Sequence, residues 1–239
     1  MKKGKNILTN IIEIQNLCFL NVLKNISFSV NEGDILGIIG YSNSGKTVLL
    51  KLIATLLNPS KGNINIFGND VLKLKEQQLN NLRKKFSFVF ESGGLLDNFT
   101  VLENVGFRVL NEITKHKENI VKILNEVDLF ETENKYYYEL SGGMQRRVSI
   151  AKAFFNKSEI NIYDNPTAGL DILNCNKIFN LIKKHSKTSI IVSNDLKNLF
   201  KICNKIIFID NGEIIFNGNI EQINTFNNEI VQSFIKGGF

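Results

Sequence analysis

The chain has 239 residues, of which 43% are hydrophobic, so it can bury one large core but is short for several domains. No apolar run reaches the roughly 18 residues of a membrane-spanning helix, and the basic start Met1–Lys5 leads into a segment without a small-residue cleavage site, so we expect neither a spanning segment nor a signal peptide. The net charge of +6 comes from lysines dispersed among acidic residues, which favours a solvated surface over a nucleic-acid partner.

The predicted elements begin with a small antiparallel sheet. Alternating apolar residues predict strands at Ile11–Gln15 and Ile26–Val30, and Asn63–Gly68 continues the same sheet. Between them the apolar run Ile35–Ile39 predicts a buried strand, and the segment Thr47–Leu57 predicts a helix. A glycine-rich segment therefore separates a buried strand from the start of a helix.

The rest of the chain alternates helices with buried strands, which predicts a mainly parallel sheet. Residues 92–138 show helical periodicity and form a candidate helical subdomain. A further helix is predicted at Gln77–Lys85. The predicted core strands are Phe86–Phe90, Ile160–Asp164, Ser189–Val192 and Lys205–Ile209. The turn Asp210–Glu213 predicts a hairpin into a last strand, Ile214–Phe216.

The cysteines and histidines do not predict a metal site. Cys18, Cys175 and Cys203 include no C-x-x-C pair, and neither His116 nor His185 has a second cysteine or histidine nearby in sequence. We therefore expect reduced, buried thiols, as in a cytosolic protein.

The glycine-rich segment matches the P-loop pattern G-x-x-x-x-G-K-[ST], whose backbone N–H groups surround the phosphates of a nucleotide. Its residues are Gly40, Tyr41, Ser42, Asn43, Ser44, Gly45, Lys46 and Thr47. In this pattern Lys46 reaches the β- and γ-phosphates, and the Thr47 hydroxyl binds Mg²⁺. The following helix directs its N-terminus at the phosphates. The segment therefore predicts a site for a nucleoside triphosphate with Mg²⁺.

Further motifs follow the P-loop in order along the chain. A helix opens with Leu-Ser-Gly-Gly-Met-Gln, the strand Ile160–Asp164 ends in an acidic residue, and Asp171 closes the turn after it. The signature residues are Ser141, Gly142, Gly143, Met144 and Gln145, with Ser141 as candidate N-cap. Together with the P-loop, this order resembles the ATP-binding subunit of ABC transporters over nearly the whole chain.

The resemblance implies an α/β fold, in which a P-loop NTPase (RecA-like) core carries an N-terminal antiparallel β subdomain and an inserted helical subdomain. It implies a single domain over residues 1–239, with a catalytic lobe at about 1–91 and 157–239 and a helical lobe at about 92–156. ATP and Mg²⁺ are the implied cofactors, with Thr47, Asp164 and Glu91 as metal ligands.

The partners implied by the resemblance are a second ATP-binding subunit and a membrane permease. The Ser-Gly-Gly helix of one subunit closes on the γ-phosphate held by the P-loop of its partner, which is a helix N-terminus directed at an anion. The dimer can be a homodimer or a heterodimer. The implied location is cytoplasmic, peripheral on the inner face of the inner (or plastid-type) membrane.

A finer resemblance concerns the segment Phe90–Val105, which is similar to the F-Q-S-G-A-L-F-D…T-V-x-E-N-V segment of Mla-type ATPases. Tyr163–Asp171 and the tail Asn227–Gly237 resemble the corresponding parts of that subgroup. These ATPases energise phospholipid transport together with an MCE-domain protein, so the resemblance implies lipid as cargo. The alternative is the ATPase of an ABC transporter for another substrate.

The side chains that cleave ATP in this family are replaced here. In active members a Glu follows the strand aspartate and polarises the attacking water, whereas the amide of Asn165 cannot accept a proton. Asn194 replaces the His that contacts the γ-phosphate, and Glu91 replaces a Gln. Asn43 replaces a Gly, which the tolerance of asparagine for left-handed dihedrals permits, and Ile172 replaces a Pro.

These replacements leave three accounts open. Drift toward Asn codons in an AT-rich genome can have weakened the function, or the dimer can close on ATP and hydrolyse it slowly. In the third account Glu91 acts as the missing base or as an extra Mg²⁺ ligand. An active ATPase and a catalytically silent, nucleotide-gated assembly or regulatory subunit both remain as hypotheses.

Two assignments of apolar residues also stay open. Family members stack adenine on an aromatic residue after the first strand, and the candidate here is Phe19, which can equally belong to the core. Leu95, Leu96 and Phe99 either line the groove that receives the permease or pack into the core.

Overall fold

The computed structural model of the chain describes residues 10–92 and 94–238. In these ranges the chain forms ten strands and nine α-helices. The start Met1–Lys5 and Gly93, both used in the sequence predictions, lie outside the described residues. The strands are β1 (Asn10–Phe19), β2 (Leu23–Asn31), β3 (Ile35–Ile39), β4 (Lys61–Ile66), β5 (Asn69–Asp70), β6 (Phe86–Val89), β7 (Ile160–Asp164), β8 (Thr188–Val192), β9 (Lys205–Asp210) and β10 (Glu213–Gly218). The helices are α1 (Lys46–Ile53), α2 (Glu76–Arg83), α3 (Val101–Val105), α4 (Ile113–Glu126), α5 (Gly142–Asn156), α6 (Ile172–His185), α7 (Leu196–Ile202), α8 (Ile220–Thr225) and α9 (Glu229–Gly237).

Two sheets organise the molecule, as predicted. The first is antiparallel with the order β2-β1-β4-β5, and the second has the order β10-β9-β3-β8-β7-β6. In the second sheet only β10 runs antiparallel among the described strands. The turn between β9 and β10 places Asn211 and Gly212 at φ 45° and 80°, which a two-residue hairpin requires. A Cβ at Gly212 would lie 2.2 Å from the carbonyl oxygen of Val22, so glycine is needed there.

The parallel sheet is buried on both faces, which explains the continuous apolar runs of its strands. Ile162 and Ile190 belong to one core, shared with β1, β4 and α1. Tyr163 and Ile191 belong to a second core, shared with α4, α5 and α6. Because successive side chains of a strand face opposite sides, β7 joins both cores. Its last residue, Asp164, lies at the carboxyl edge of the sheet, where ligands bind in α/β folds.

The segment between β6 and β7 is helical, as its periodicity predicted. It contains α3, α4 and α5 and two short 3₁₀ helices, Phe107–Glu112 and Tyr137–Glu139. Helix α4 buries Ile120, Ile123 and Leu124 on one face. The signature residues are at the start of α5 in this helical segment, whereas the P-loop lies between β3 and α1.

Some sequence predictions were wrong in detail. The predicted helix Thr47–Leu57 ends early, because α1 stops at Ile53 and Thr55 adopts a left-handed backbone with φ 57°. The strand predicted to reach Phe90 ends at Val89. Of the residues left open, Leu95 packs against the core while Leu96 is 40% exposed.

The three cysteines are free thiols. Cys203 is buried as predicted, and burial raises the pKa of its thiol to about 12. Cys18 and Cys175 are only half-buried, so the prediction of buried thiols was wrong for these two. Within the described ranges, the structure has no helix with the length and apolar character needed to cross a bilayer.

Candidate nucleotide-binding site

The P-loop connects β3 to α1 at the carboxyl edge of the parallel sheet. Its backbone turns through positive φ at Gly40 (146°), Asn43 (63°) and Gly45 (99°). A Cβ at Gly40 would lie 2.0 Å from the carbonyl oxygen of Ile209, so a larger residue cannot replace it without displacing β9. Asn43 adopts the left-handed conformation at the position where the family carries glycine, as its residue type allows.

The Lys46 side chain lies along the loop and is surrounded by oxygen atoms. Its Nζ donates to the carbonyl oxygens of Gly40 (2.9 Å) and Tyr41 (2.6 Å) and to Ser44 Oγ (3.3 Å). Burial lowers the pKa of Lys46 below its ordinary value, and the nearby Asp164 opposes that shift. These acceptors are neutral, and phosphate oxygens form stronger, charge-assisted bonds with an ammonium group. The arrangement therefore suits a lysine that exchanges loop oxygens for an anionic ligand.

A cleft of about 490 Å³ opens beside this lysine. Its lining includes P-loop residues together with Glu91, Asn165 and Asn194, the three positions predicted to be catalytic. The lining residues are Val22, Ser42, Asn43, Gly45, Lys46, Thr47, Val48, Glu91, Asn165, Val192 and Asn194. Of the remaining P-loop positions, Gly40, Tyr41 and Ser44 lie outside this lining. The structure thus brings residues from five separate segments of the chain to one cavity.

Asp164 and Thr47 form the part of the site that suits a metal ion. Asp164 is 2% exposed, the Thr47 hydroxyl hydrogen-bonds to its carboxylate, and its Oδ1 has no hydrogen-bond partner among the described residues. Burial raises the pKa of Asp164, whereas the Thr47 hydrogen bond lowers it. A buried carboxylate oxygen without a partner, next to a hydroxyl, fits Mg²⁺, which prefers oxygen ligands. The third predicted ligand, Glu91, is exposed and lines the same cleft.

Asn165 follows β7 at φ 45° and faces Glu91, with 3.5 Å between Asn165 Nδ2 and Glu91 Oε1. Its carbonyl oxygen accepts a 2.8 Å hydrogen bond from Arg146 Nη1 of α5. Asn194, on the other side of the cleft, is exposed. Around the place where the family has a base and a histidine, this chain therefore offers two amides and the carboxylate of Glu91.

The signature residues start α5 but lie outside the lining of the P-loop cleft. Ser141 caps the helix, with Met144 N donating to Ser141 Oγ over 3.4 Å, as its sequence position predicted. Gln145 Nε2 donates to the carbonyl oxygens of Tyr137 (3.3 Å) and Leu140 (3.2 Å). Ser141 and Gly142 are exposed. The positive end of a fifteen-residue helix is therefore presented to the surroundings.

A second cleft of about 500 Å³ lies beside the signature helix. It is lined by Gly142, Gly143, Gln145 and Arg146 of α5, by Ala168 and Gly169 of the turn after β7, and by Phe90, Glu91, Ser92, Tyr137 and Ser149. Glu91 is the residue that lines both clefts. Glu91 therefore lies between the P-loop cleft and the cleft beside the signature helix.

Asp171 starts α6 as its N-cap, with Asn174 N donating to Asp171 Oδ1 over 3.0 Å. This backbone hydrogen bond lowers the pKa of Asp171. The next two residues, Ile172 and Leu173, are 84% and 85% exposed. These two apolar side chains follow Gly169, which lines the second cleft, by three and four residues in sequence.

Phe19, the predicted base-stacking residue, is half-buried and packs against the core of the antiparallel sheet. Phe19 is not among the residues that line the P-loop cleft, whereas Val22 of the β1–β2 loop is. Val22 and Arg146 were not predicted from the sequence. No local pattern marks either residue, since Val22 acts through the fold of the β1–β2 loop and Arg146 binds a backbone carbonyl.

The chain is similar to known proteins over most of its length. A family model described as "ABC transporter" matches residues 23–168. The Methionine import ATP-binding protein MetN of Lactobacillus acidophilus is 33% identical over 231 residues, covering 91% of this chain and 65% of that protein. MetN 1 of Oenococcus oeni is 31% identical over 243 residues, covering 95% of this chain and 69% of that protein. The chain thus spans about two thirds of the length of these relatives.

Solved structures share the fold. A dimeric bacterial ABC transporter cassette is 29% identical with a TM-score of 0.81, covering 87% of this chain and 98% of that chain. A dimer of the same cassette in a post-hydrolysis state, bound to ADP and phosphate, is 28% identical with a TM-score of 0.80 and the same coverage.

Proposed function

Because the family model matches more than half of its residues, the chain belongs to the ABC transporter family, and on that premise we propose that it binds MgATP, dimerises on the nucleotide and drives a membrane permease. The observation that carries the proposal is the convergence of Lys46 and Thr47 in one cleft with Asp164 directly behind them. Calorimetric titration with MgATP tests it. Unmeasurable binding by the wild type at millimolar MgATP contradicts it.

The chain's own groups account for nucleotide binding. Lys46 would exchange the carbonyl oxygens of Gly40 and Tyr41 for phosphate oxygens, at the N-terminus of α1. Thr47 and Asp164 would hold Mg²⁺, which when bound neutralises phosphate charge. Asp164 stays in place because β7 is paired on both sides.

Dimerisation follows from the separation of the two half-sites. The exposed Ser141 and Gly142 do not line the P-loop cleft of their own chain, yet they begin a helix whose N-terminus attracts an anion. A second subunit placed with its signature helix over the P-loop cleft completes both sites. The exposed Ile172 and Leu173 fit such a contact. Whether the partner is a second copy or a related subunit is decided by mass spectrometry of the complex with ATP.

We propose slow hydrolysis because the groups that cleave are replaced. The Asn165 amide can orient a water but cannot take its proton, and loss of a general base costs roughly 10²–10⁴ in rate. Asn194 can donate a hydrogen bond but brings no positive charge. The Glu91 carboxylate lies 3.5 Å from Asn165 Nδ2 and is the candidate for partial compensation. If Glu91 does not act as a base, the chain is a catalytically silent, nucleotide-gated subunit.

For the cargo we propose lipid, with an MCE-domain protein as further partner, because Phe90–Val105 resembles the matching segment of Mla-type ATPases. Methionine is the second candidate, since the two relatives described above are methionine import ATP-binding proteins. Purification of the tagged chain from native membranes tests both. A permease with an MCE protein supports lipid transport, a permease with a methionine-binding protein supports methionine, and soluble partners alone contradict a transporter.

The proposal includes the predicted organisation of the subunit. The catalytic lobe comprises about residues 1–91 and 157–239, and the helical lobe about 92–156. The subunit is peripheral on the cytoplasmic face of the membrane that holds the permease. Fractionation of cells, followed by release of the subunit with salt or with loss of the permease, tests this location.

A further inference from the structure

The second residue of the P-loop, Tyr41, directs its ring at two elements outside the loop. Its ring centroid lies 5.0 Å from that of Phe234 on α9 and 6.4 Å from that of Phe208 on β9. Phe208 and Phe234 are themselves 5.1 Å apart. All three pairs meet edge to face, which is a favourable geometry for aromatic rings. The interplanar angle is 78° for Tyr41 and Phe234, 85° for Tyr41 and Phe208, and 83° for Phe208 and Phe234. We call these three residues the aromatic cluster.

Helix α9 is a firm support for the cluster. Val231 and Ile235 are 0% and 7% exposed, so one face of the helix is anchored in the core. Gln232 Nε2 donates to the carbonyl oxygens of Ile223 and Phe226, each over 3.0 Å, and thereby ties α9 to α8. The position of Phe234 is therefore set by packing and hydrogen bonds that do not involve the P-loop.

The same helix also reaches the segment that carries Asn194. A Cβ at Gly238, next to the end of α9, would lie 2.5 Å from Leu196 Cδ1. Leu196 is fully buried and follows Asn194 by two residues. The end of the C-terminal helix thus lies close to the start of α7, while Phe234 contacts the P-loop residue Tyr41.

The backbone of Tyr41 links the aromatic cluster to the phosphate-binding groups. Its carbonyl oxygen accepts the 2.6 Å hydrogen bond from Lys46 Nζ and a 3.3 Å hydrogen bond from Ser44 N. Fixing the Tyr41 ring therefore restrains the backbone of the loop at this carbonyl, which also holds Ser44 N.

We propose that the C-terminal helix positions the P-loop for nucleotide binding, with Phe234 acting through Tyr41. Phe234 is a positioning residue that touches no phosphate. It restricts the loop before binding, so that less conformational freedom is lost when the nucleotide arrives. The proposal rests on the proposed function, because it concerns the same nucleotide site. The proposal gives a role to the tail Asn227–Gly237, for which the sequence showed only a resemblance to Mla-type ATPases.

The test is a double-mutant cycle on MgATP affinity with Phe234→Leu, Tyr41→Leu and the double variant. Each single variant should weaken MgATP binding roughly two- to twelve-fold, which is what an aromatic pair is worth. The double variant should lose little more than either single one, because both remove the same contact. Phe234→Tyr keeps the ring and should bind as the wild type does.

The matched control is Phe226→Leu. The Phe226 ring lies in the same C-terminal region and pairs with that of Phe216 at 5.1 Å, and none of the ring pairs in the described part of the chain joins it to the P-loop. The substitution keeps the backbone carbonyl of residue 226, which accepts the hydrogen bond from Gln232. Its variant should lose thermal stability without losing MgATP affinity, and thermal unfolding confirms that every variant is folded.

Three results overturn the proposal: Phe234→Leu binds as the wild type does, the two single losses add in the double variant, or Phe226→Leu weakens binding equally. A wild type that binds no MgATP overturns the proposed function and this inference together. A wild type that binds, with an unaffected Phe234→Leu variant, overturns the inference alone.

Discussion

Returning a carboxylate to position 165 should restore hydrolysis poorly as long as Glu91 is present. Asn165 Nδ2 lies 3.5 Å from Glu91 Oε1, so Asn165→Glu replaces an amide donor with a second negative charge. Two unit charges about 3.5 Å apart repel by about 1 kcal/mol in bulk water and about 5 kcal/mol at an effective dielectric constant of about 20. Because Glu91 is exposed, solvent screens the pair. We therefore expect the repulsion to cost the Asn165→Glu variant roughly 1–3 kcal/mol, which lowers its rate of hydrolysis by a factor of roughly 5 to 150.

The assay is single-turnover ATP hydrolysis by the wild type, Asn165→Glu, Glu91→Gln and the double variant. The double variant should exceed Asn165→Glu by roughly 5- to 150-fold. The backbone at position 165 has φ 45°, which disfavours Glu by about 1 kcal/mol, but this cost is common to both variants and cancels. An Asn165→Glu variant as fast as the double variant would refute the reasoning. A wild type that turns over at about 1–10 s⁻¹ and is stopped by Glu91→Gln would assign the base to Glu91.

Three further predictions concern the same cleft. Lys46→Ala should cost about 1.5–3 kcal/mol of MgATP binding, since it removes charge-assisted contacts to phosphate, and calorimetry against the wild type measures the loss. Asn165→Glu with Asn194→His should hydrolyse faster than Asn165→Glu alone in the same single-turnover assay, and equal rates would mean that position 194 does not act on the phosphate. Burial raises the pKa of Asp164, so the folded chain binds more protons than the unfolded chain, and the carboxylate costs stability above its ordinary pKa. Asp164→Asn should therefore raise the Tm of the nucleotide-free protein at about pH 7 and change it little at about pH 3, while MgATP no longer raises the Tm of the variant. A rise in Tm of the same size at both pH values would contradict this explanation.

The parts of the fold that follow local rules could be predicted from the sequence. The buried strands ending at Ile39 and Asp164, the hairpin at Asn211 and Gly212, and the cap at Ser141 each depend on residues within a few positions. The P-loop is equally local, because its glycines and its lysine act within eight residues.

The features that were missed depend on contacts between distant segments. Phe19 and Val22 are both apolar and close in sequence, and only the packing of the β1–β2 loop decides which of them lines the cleft. Arg146 binds the carbonyl of Asn165, a group that every residue type provides. The ring of Tyr41 meets Phe234 near the other end of the chain, and no periodicity relates the two.

Because β7 is buried on both faces, the position of Asp164 is constrained by the fold, whereas the exposed side chains of the cleft are not. Asp164 ends a strand whose Ile162 and Tyr163 fill two different cores, so a shift of register would turn both side chains the wrong way. The requirements of folding alone therefore preserve the position of the Asp164 carboxylate. Glu91 and Asn194 are exposed, and the two cores do not constrain them in this way. Substitutions at these two positions should therefore cost little stability, so the groups that face the cleft can change while the fold and the place of Asp164 are kept.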